Sequence, residues 1–325
     1  MPDSIDFSRK PVLVLGASGF IGSRVVTALA EHPAYRPVAA SRRPTGSALA
    51  LDATDPVRMA AALRDVDFVV NCIGGNERAM VRATEVLCDA ARTTPPRRIV
   101  HLSSMAVYGA ATGLVQEDHV QVPPVSGYGQ AKIECERVIR RYVDDGGDAV
   151  ILRPTCVFGP GSVQWTIRLA HLLRARRIGD LGVAGDGRCN LAFIDDVVAG
   201  IVASLQARGV SGKAFNISSS AELTWNEFLI RFAKALGATP VVRVSARTIK
   251  IETKLLAPVR HVAGKFFRSR VTEAITPSLA ALWRQDIRID CSAAEAALSL
   301  SSTSLERMIA AVVSPGHPVQ EAVRP

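Results

Sequence analysis

The sequence predicts an α/β protein: a doubly wound parallel sheet with a smaller, mostly helical C-terminal cap. Three observations predict it. Short β-branched runs alternate with helical stretches from residue 10 to about 160, the first run leads straight into the glycine-rich turn GASGFIG, and the rhythm breaks after Gly159-Pro160-Gly161. Alternation of this kind requires a parallel sheet covered on both faces, because parallel neighbours need crossover connections.

Taken in order, PVLVLG is the first strand and Ile21 to Glu31 the first helix; RPVAAS and Val57 to Leu63 form the second unit. DFVVNCIG precedes a helix from Glu77 to Ala91, RRIVHLSS precedes one from Tyr128 to Tyr142, and DAVILRP closes the series. Beyond it come a helix from Val163 to Arg176, the stretch GDLGVAGDG, then LAFIDD with a helix from Val197 to Gln206, and the strand-like KAFNIS. The remainder from Thr224 is mainly helical, with VVRVS and IRID as strand-like islands. Residues 10–160 plus about 190–218 are assigned to the sheet domain, about 161–189 plus 219–312 to the cap, and 313–325 to a loose tail.

Composition narrows the function. With 48% apolar and 21% charged residues in 325, the chain has the means for a real core and is neither disordered nor fibrous. The N-terminus MPDSIDFSRK lacks a basic start and an apolar run, and no stretch approaches a membrane span, so a cytoplasmic protein is expected. Six cysteines without CxxC and six histidines without HExxH predict neither a disulfide framework nor a metal site. The net charge of +9 raises nucleic acid, a membrane surface or an anionic small molecule as partners.

In the glycine turn, Gly16, Gly19 and Gly22 recur every third residue between a strand and a helix. There the backbone turns tightly, approaches a pyrophosphate with no Cβ in the way, and offers it a helix N-terminus. This predicts a dinucleotide. At the end of the second strand, where an NAD site presents an acid to the ribose, stand Ser41, Arg42 and Arg43. Arginine meets a 2′-phosphate that an acid would repel, so NADP(H) is favoured over NAD(H). The plainer reading makes the arginines an ordinary solvated pair. Asp52 is placed to accept from the adenine amino group, or else to cap the helix that follows.

Tyr128 and Lys132 lie four apart, hence on one helix face, 24 residues beyond the strand-end Ser104. A phenol is a poor base at neutral pH; a neighbouring ammonium favours its ionised form, and Ser104 can hydrogen-bond the same substrate oxygen.

GASGFIG, SSMAVYG, YGQAK, LRPTCVFGPG and GDGRCNLAFIDDVV, in this order over about residues 10–310, resemble the extended short-chain dehydrogenases/reductases of the NAD-dependent epimerase/dehydratase group. The resemblance implies that Tyr128 is the acid/base, that Lys132 tunes it and holds the ribose, and that Ser104 orients the substrate oxygen, with Ser103 as the neighbouring alternative. It implies cofactor contacts at Ser18, Phe20 and Ile21 beside the glycines, and at Ala53, Cys72, Ile73, Gly74 and Pro154. It also implies a Rossmann-type sheet and a dimer through the helix of Tyr128.

Departures from the family pattern bear on the substrate, for which Ser103, Met105, Thr155 and Arg188 are the candidate contacts. Met105 and Ala106 stand where dehydratases carry an acidic pair, so 4,6-dehydration is not expected. Cys189 stands where epimerases place a diphosphate-gripping Arg, with Arg188 one position off and therefore on the other strand face. Met80 stands where the family has Asn. The expected activity is hydride transfer at a secondary alcohol or ketone of a sugar-like substrate, a nucleotide sugar by resemblance, by a 4-ketoreductase or an epimerase. Reduction of a non-sugar ketone is the alternative, with Trp165, Phe158 and Trp225 as pocket residues or, more plainly, as core. A nonenzymatic NADP(H)-binding sensor or structural protein is a third reading.

Much of the charge is concentrated. Residues 243–270 hold eight basic side chains against Glu252, a net +7 interleaved with apolar residues. Such a segment suits an anionic substrate, an acidic partner or a peripheral membrane surface, or is a solvated face. No nucleic-acid module is present, so nucleic acid is not an expected partner.

Overall fold

The computed structural model describes residues 9–119, 123–219, 222–253 and 275–314. Most of the basic segment, including Lys254 and Arg260, and tail residues 315–325 lie outside the described residues.

Strands β1 (Lys10–Leu15), β2 (Tyr35–Ser41), β3 (Leu49–Ala50), β4 (Phe68–Asn71) and β5 (Arg98–Leu102) are joined through helices α1 (Phe20–Glu31), α2 (Pro56–Leu63) and α3 (Glu77–Thr93). There follow β6 (Gly113–Val115), α4 (Gly127–Asp144), β7 (Ala149–Pro154), β8 (Cys156–Phe158), α5 (Arg168–Arg174), β9 (Leu191–Phe193), α6 (Ile194–Ser204) and β10 (Ala214–Ile217). The central sheet has seven strands in the order β10-β7-β5-β4-β1-β2-β3, all parallel. Its chain order reverses at β1, so the crevice beyond the carboxyl ends of β1 and β4 is where this architecture binds ligands.

The strands are buried on both faces, and their residues alternate between two cores. Val12, Val14, Val70, Val100, Val150 and Leu152 belong to one; Leu13, Leu15, Val69, Ile99 and Ile151 belong to the other. Near-continuous apolar runs such as VLVL and AVIL are what a two-sided burial demands. Helices start where a side chain satisfies the free N–H groups: Asp55 caps α2, Asn76 α3 and Ser126 α4.

The later half departs from the sequence reading in its short elements. VVRVS pairs only at Arg243, opposite Asp180, and is no strand. Residues 163–176 form a π-helical turn, Val163–Ile167, before α5. The strands within LRPTCVFGPG and LAFIDD pair with each other as a separate two-stranded sheet, β8-β9, and β6 pairs with a strand β11 (Ile287–Ile289) that is 174 residues distant in register. Strands of three residues carry too little periodicity to be read. Phe158 and Trp225 are fully buried and belong to an aromatic cluster with Phe228 and Phe232 that includes ring centroids 5.4 to 6.0 Å apart, so they are core and not pocket. Trp165 lies against Trp225 at 6.0 Å.

Candidate active site

The glycine turn is shaped by contact as well as by conformation. Gly16 has φ +76°, and a Cβ there would stand 2.9 Å from the Cys72 carbonyl oxygen; a Cβ at Gly22 would collide with the Gly16 carbonyl. Gly19 N–H closes the turn onto Gly16 O at 2.9 Å. No acid occupies the first turn of α1, and Ser18 and Gly19 are exposed while Phe20 and Ile21 are half-buried. The positive end of the helix is thus left for an anion.

On the adenosine side, Ser41 ends β2 with 8% exposure, and its Oγ finds no hydrogen-bond partner among the described residues. A buried hydroxyl without a partner is costly unless a ligand satisfies it. Arg42 and Arg43 follow, both exposed. Asp52 accepts from Thr54 N–H at 3.0 Å and from Thr54 Oγ1 at 2.8 Å, which holds its carboxyl below the usual range. It does not cap α2; Asp55 does, accepting from Val57 and Arg58 N–H. Ala53 and Ile73 are half-buried beside this edge, and Gly74 is exposed. Asn71 Oδ1 accepts from Ile73 N–H at 3.2 Å and shapes the exit of β4. These features fit a dinucleotide laid across the ends of β1, β2 and β4.

Tyr128 and Lys132 leave the first turns of α4 toward the end of β5. Lys132 is 3% exposed and donates to Leu102 O at 2.6 Å, with its Nζ 5.9 Å from the Tyr128 ring centroid. Burial pushes its ammonium down. Tyr128 is 38% exposed, yet desolvation raises its phenol above the usual value, opposed by a hydrogen bond with Ser104. The phenol is thus governed by burial, opposed by Ser104, rather than by Lys132, and in the protein alone it is held neutral. Pro154 ends β7 on the same side.

The four candidate substrate contacts fare differently. Ser103 is buried and donates to Glu136 at 2.6 Å, so its hydroxyl is taken up by α4 two turns beyond Tyr128. Thr155 is also buried and donates to Ser218 Oγ at 3.1 Å. Met105 is 9% exposed and joins the core. Arg188 pairs with Asp286 at 3.5 Å and Glu222 at 4.0 Å, in a groove of about 300 Å³ lined also by Arg288, Asp290 and Cys291. Cys189 is 4% exposed. No group of metal-ligating side chains is found among the described residues.

Two buried polar groups escaped the sequence reading. Glu136, four residues past Lys132, takes a fork from Arg153 at 2.7 and 2.8 Å; both are at most 2% exposed. His101 is 1% exposed, with its Nδ1 3.2 Å from Asn71 Nδ2 and its Nε2 unpartnered among the described residues. Burial, aided by Lys132, drops its pKa from 6.5 to about 3. The unfolded chain therefore binds this proton below pH 6.5 while the folded protein does not. His101 contributes full stability above pH 6.5 and loses it as the pH falls, by on the order of 3 kcal/mol by pH 4. Thermal melts of wild type and His101→Gln from pH 7 to 4 check this: the variant has the shallower acid decline.

A glycine turn ahead of a doubly wound sheet, with a Ser just past a strand and Tyr and Lys on the helix packed over it, is the arrangement of extended short-chain dehydrogenases/reductases. Residues 12–218 match the model of the NAD-dependent epimerase/dehydratase family, and the chain belongs to that family. A 2′-dehydrokanamycin reductase of Streptomyces kanamyceticus is 30% identical over 243 residues, covering 70% of this chain and 66% of the relative. A 4-hydroxy-2-methyl-3-oxo-4-farnesyl-3,4-dihydroquinoline-1-oxide ketoreductase of Stigmatella aurantiaca is 25% identical over 207 residues, 62% of this chain; the match spans 59% of that relative's length. The fold matches UDP-glucuronic acid 4-epimerase from Bacillus cereus, solved in complex with NAD, with a TM-score of 0.70, 22% identity, and coverage of 93% of this chain and 94% of that one. No helix among the described residues is long and apolar enough to cross a membrane.

Proposed function

We propose that the chain is an NADPH-dependent ketoreductase acting on a ketone of a sugar-like ring. The observation that carries the reading is the convergence of Ser104, Tyr128 and Lys132 beside the glycine turn. A nicotinamide bound across these strand ends would supply hydride to the carbonyl carbon. Ser104 hydrogen-bonds the carbonyl oxygen and orients it, and Tyr128 gives that oxygen its proton, a role that suits a phenol kept neutral by burial. Lys132, anchored on Leu102 O, would hold the nicotinamide ribose with its remaining donors and keeps a positive charge near the phenol as it ionises.

NADPH is preferred because the end of β2 offers the hydroxyl of Ser41 and two exposed guanidinium groups, with no acid among residues 41–43 to repel a 2′-phosphate. Replacing Arg42 and Arg43 together by Ala is expected to raise the Kd for NADPH by about 10- to 100-fold, the worth of one or two charge-assisted hydrogen bonds, and to leave that for NADH unchanged. Fluorescence titration with both cofactors measures it; equal loss for both, or no loss, rejects the assignment.

The ring is read as lacking a nucleotide diphosphate handle, since Cys189 is buried and Arg188 is engaged by Glu222 and Asp286. The cap that encloses the substrate is assigned to about 161–189 and 219–312. Nucleotide-sugar epimerisation is the second reading, favoured by the likeness to the UDP-glucuronic acid 4-epimerase over nearly the whole chain. Turnover with deuterated NADPH separates them: one deuterium retained per NADPH consumed supports reduction, and epimer formation without net consumption supports the second reading. If two copies pair through α4, as the family resemblance implies, the contact is polar. The outer faces of α3 and α4 carry pairs such as Arg82–Glu85, Glu134–Arg137 and Arg92–Asp145.

A further inference from the structure

The exit of β5 is clasped by α4 on three successive turns. Tyr128 meets Ser104, Lys132 donates to Leu102 O at 2.6 Å, and Glu136 accepts from Ser103 Oγ at 2.6 Å. Residues 128, 132 and 136 are spaced by four, so they form one stripe along the helix. The third contact is the stiffest. Arg153 grips both carboxylate oxygens of Glu136, and its Nη1 donates to Tyr108 Oη at 2.9 Å and to Glu117 O at 2.8 Å. Tyr108 Oη in turn donates to Asn216 Oδ1 at 2.6 Å. With the carboxylate unable to rotate, Ser103 has one orientation, and Ser104, which follows it in extended backbone at φ −166° and ψ 154°, is held with its hydroxyl at Tyr128.

We propose that Ser103, Glu136 and Arg153 form a positioning unit that sets Ser104 against Tyr128, so that Ser103 governs turnover without touching substrate or cofactor. The proposal rests on the reading of Ser104 and Tyr128 as the reacting pair. Loss of the Ser103 hydroxyl frees the strand exit to drift, and displacements of an ångström or less in such a pair are costly to the rate.

Ser103→Ala is expected to lower kcat by about 10- to 100-fold with the KM for NADPH unchanged. It also moves the ionisation of Tyr128 to higher pH, because the hydrogen bond with Ser104 that favours phenolate is weakened. That ionisation is read from phenolate absorbance, as the difference between each protein and its Tyr128→Phe counterpart. Ser103→Thr, which keeps a hydroxyl, restores both readouts. Wild-type kcat and an unmoved Tyr128 ionisation in Ser103→Ala overturn the proposal, even if the melting temperature falls. Where Ser103→Ala folds poorly, Ser103→Cys carries the same expectation with less change of volume. The absorbance titration needs no substrate. A wild type that reduces no ketone defeats the proposed function, while the ionisation shift still decides the positioning role.

Discussion

Tyr128→Phe lowers kcat for ketone reduction by about 10²- to 10⁴-fold, the usual worth of a positioned general acid, and leaves NADPH affinity essentially unchanged. The ring remains, so its packing and the cation–π contact with Lys132 at 5.9 Å survive, and only the proton donor is removed. Nothing nearby replaces it. Ser104, which accepts from Ala106 N–H at 3.2 Å, keeps a donor to orient the carbonyl oxygen but is too weak an acid to protonate it, and the Lys132 ammonium is anchored on Leu102 O. Single-turnover kinetics with pre-bound NADPH isolates the chemical step, and a fluorescence titration confirms cofactor binding. A variant that binds NADPH and turns over at the wild-type rate removes Tyr128 from the reaction. Loss of binding together with turnover instead makes it a structural residue.

Arg153→Met unfolds more easily by about 3–5 kcal/mol, because it removes the bidentate partner of a carboxylate that is 1% exposed and leaves it only Ser103 and the half-exposed Arg140 at 3.3 Å. In a chain of this length that corresponds to a fall in Tm of roughly 4 to 7 °C. The loss depends on pH. Desolvation alone would push the Glu136 carboxyl up, but the hydrogen bonds and charge of Arg153 hold it below 4.5. In the wild type, the stability from Glu136 is fully present above the unfolded value of about 4.5 and is lost as the pH falls through the lower folded value. In Arg153→Met the carboxyl rises and takes up a proton on folding. The deficit is therefore greatest at neutral pH and shrinks toward pH 4. Adding Glu136→Gln to Arg153→Met recovers part of the loss, because a neutral amide replaces the stranded charge. Melts of the three variants at pH 7 and pH 4.5 measure both effects; a deficit that grows in acid contradicts the account.

Much of the sheet and of the candidate site was legible in the chain. VLVLG before GASGFIG, the serine at the end of RRIVHLSS and the four-residue step from Tyr128 to Lys132 are local signals. Each follows from strand and helix periodicity and from the steric need for glycine. The illegible parts are non-local. Nothing in the row of residues says whether Ser103 or Ser104 faces Tyr128, since both are hydroxyls at one strand exit. The decision comes from Glu136 and Arg153, 33 and 50 positions away. Glu136 continues the spacing of Tyr128 and Lys132, and that was the one available hint. Arg188 looked available for an anion until Glu222 and Asp286, brought by two other segments, paired with it. Phe158 and Trp225 looked usable as pocket walls until burial placed them in the core.

The sequence by itself determined the parallel α/β architecture, the membership in a nicotinamide-dependent family and the set of residues from which a reacting site can be built. Periodicity and glycine sterics act over a few residues and can be read in order. Only the tertiary structure decided which side chains are free to act. Whether a serine, an arginine or a phenol is available depends on the partners and the desolvation that distant segments impose, and those arise when the chain closes on itself.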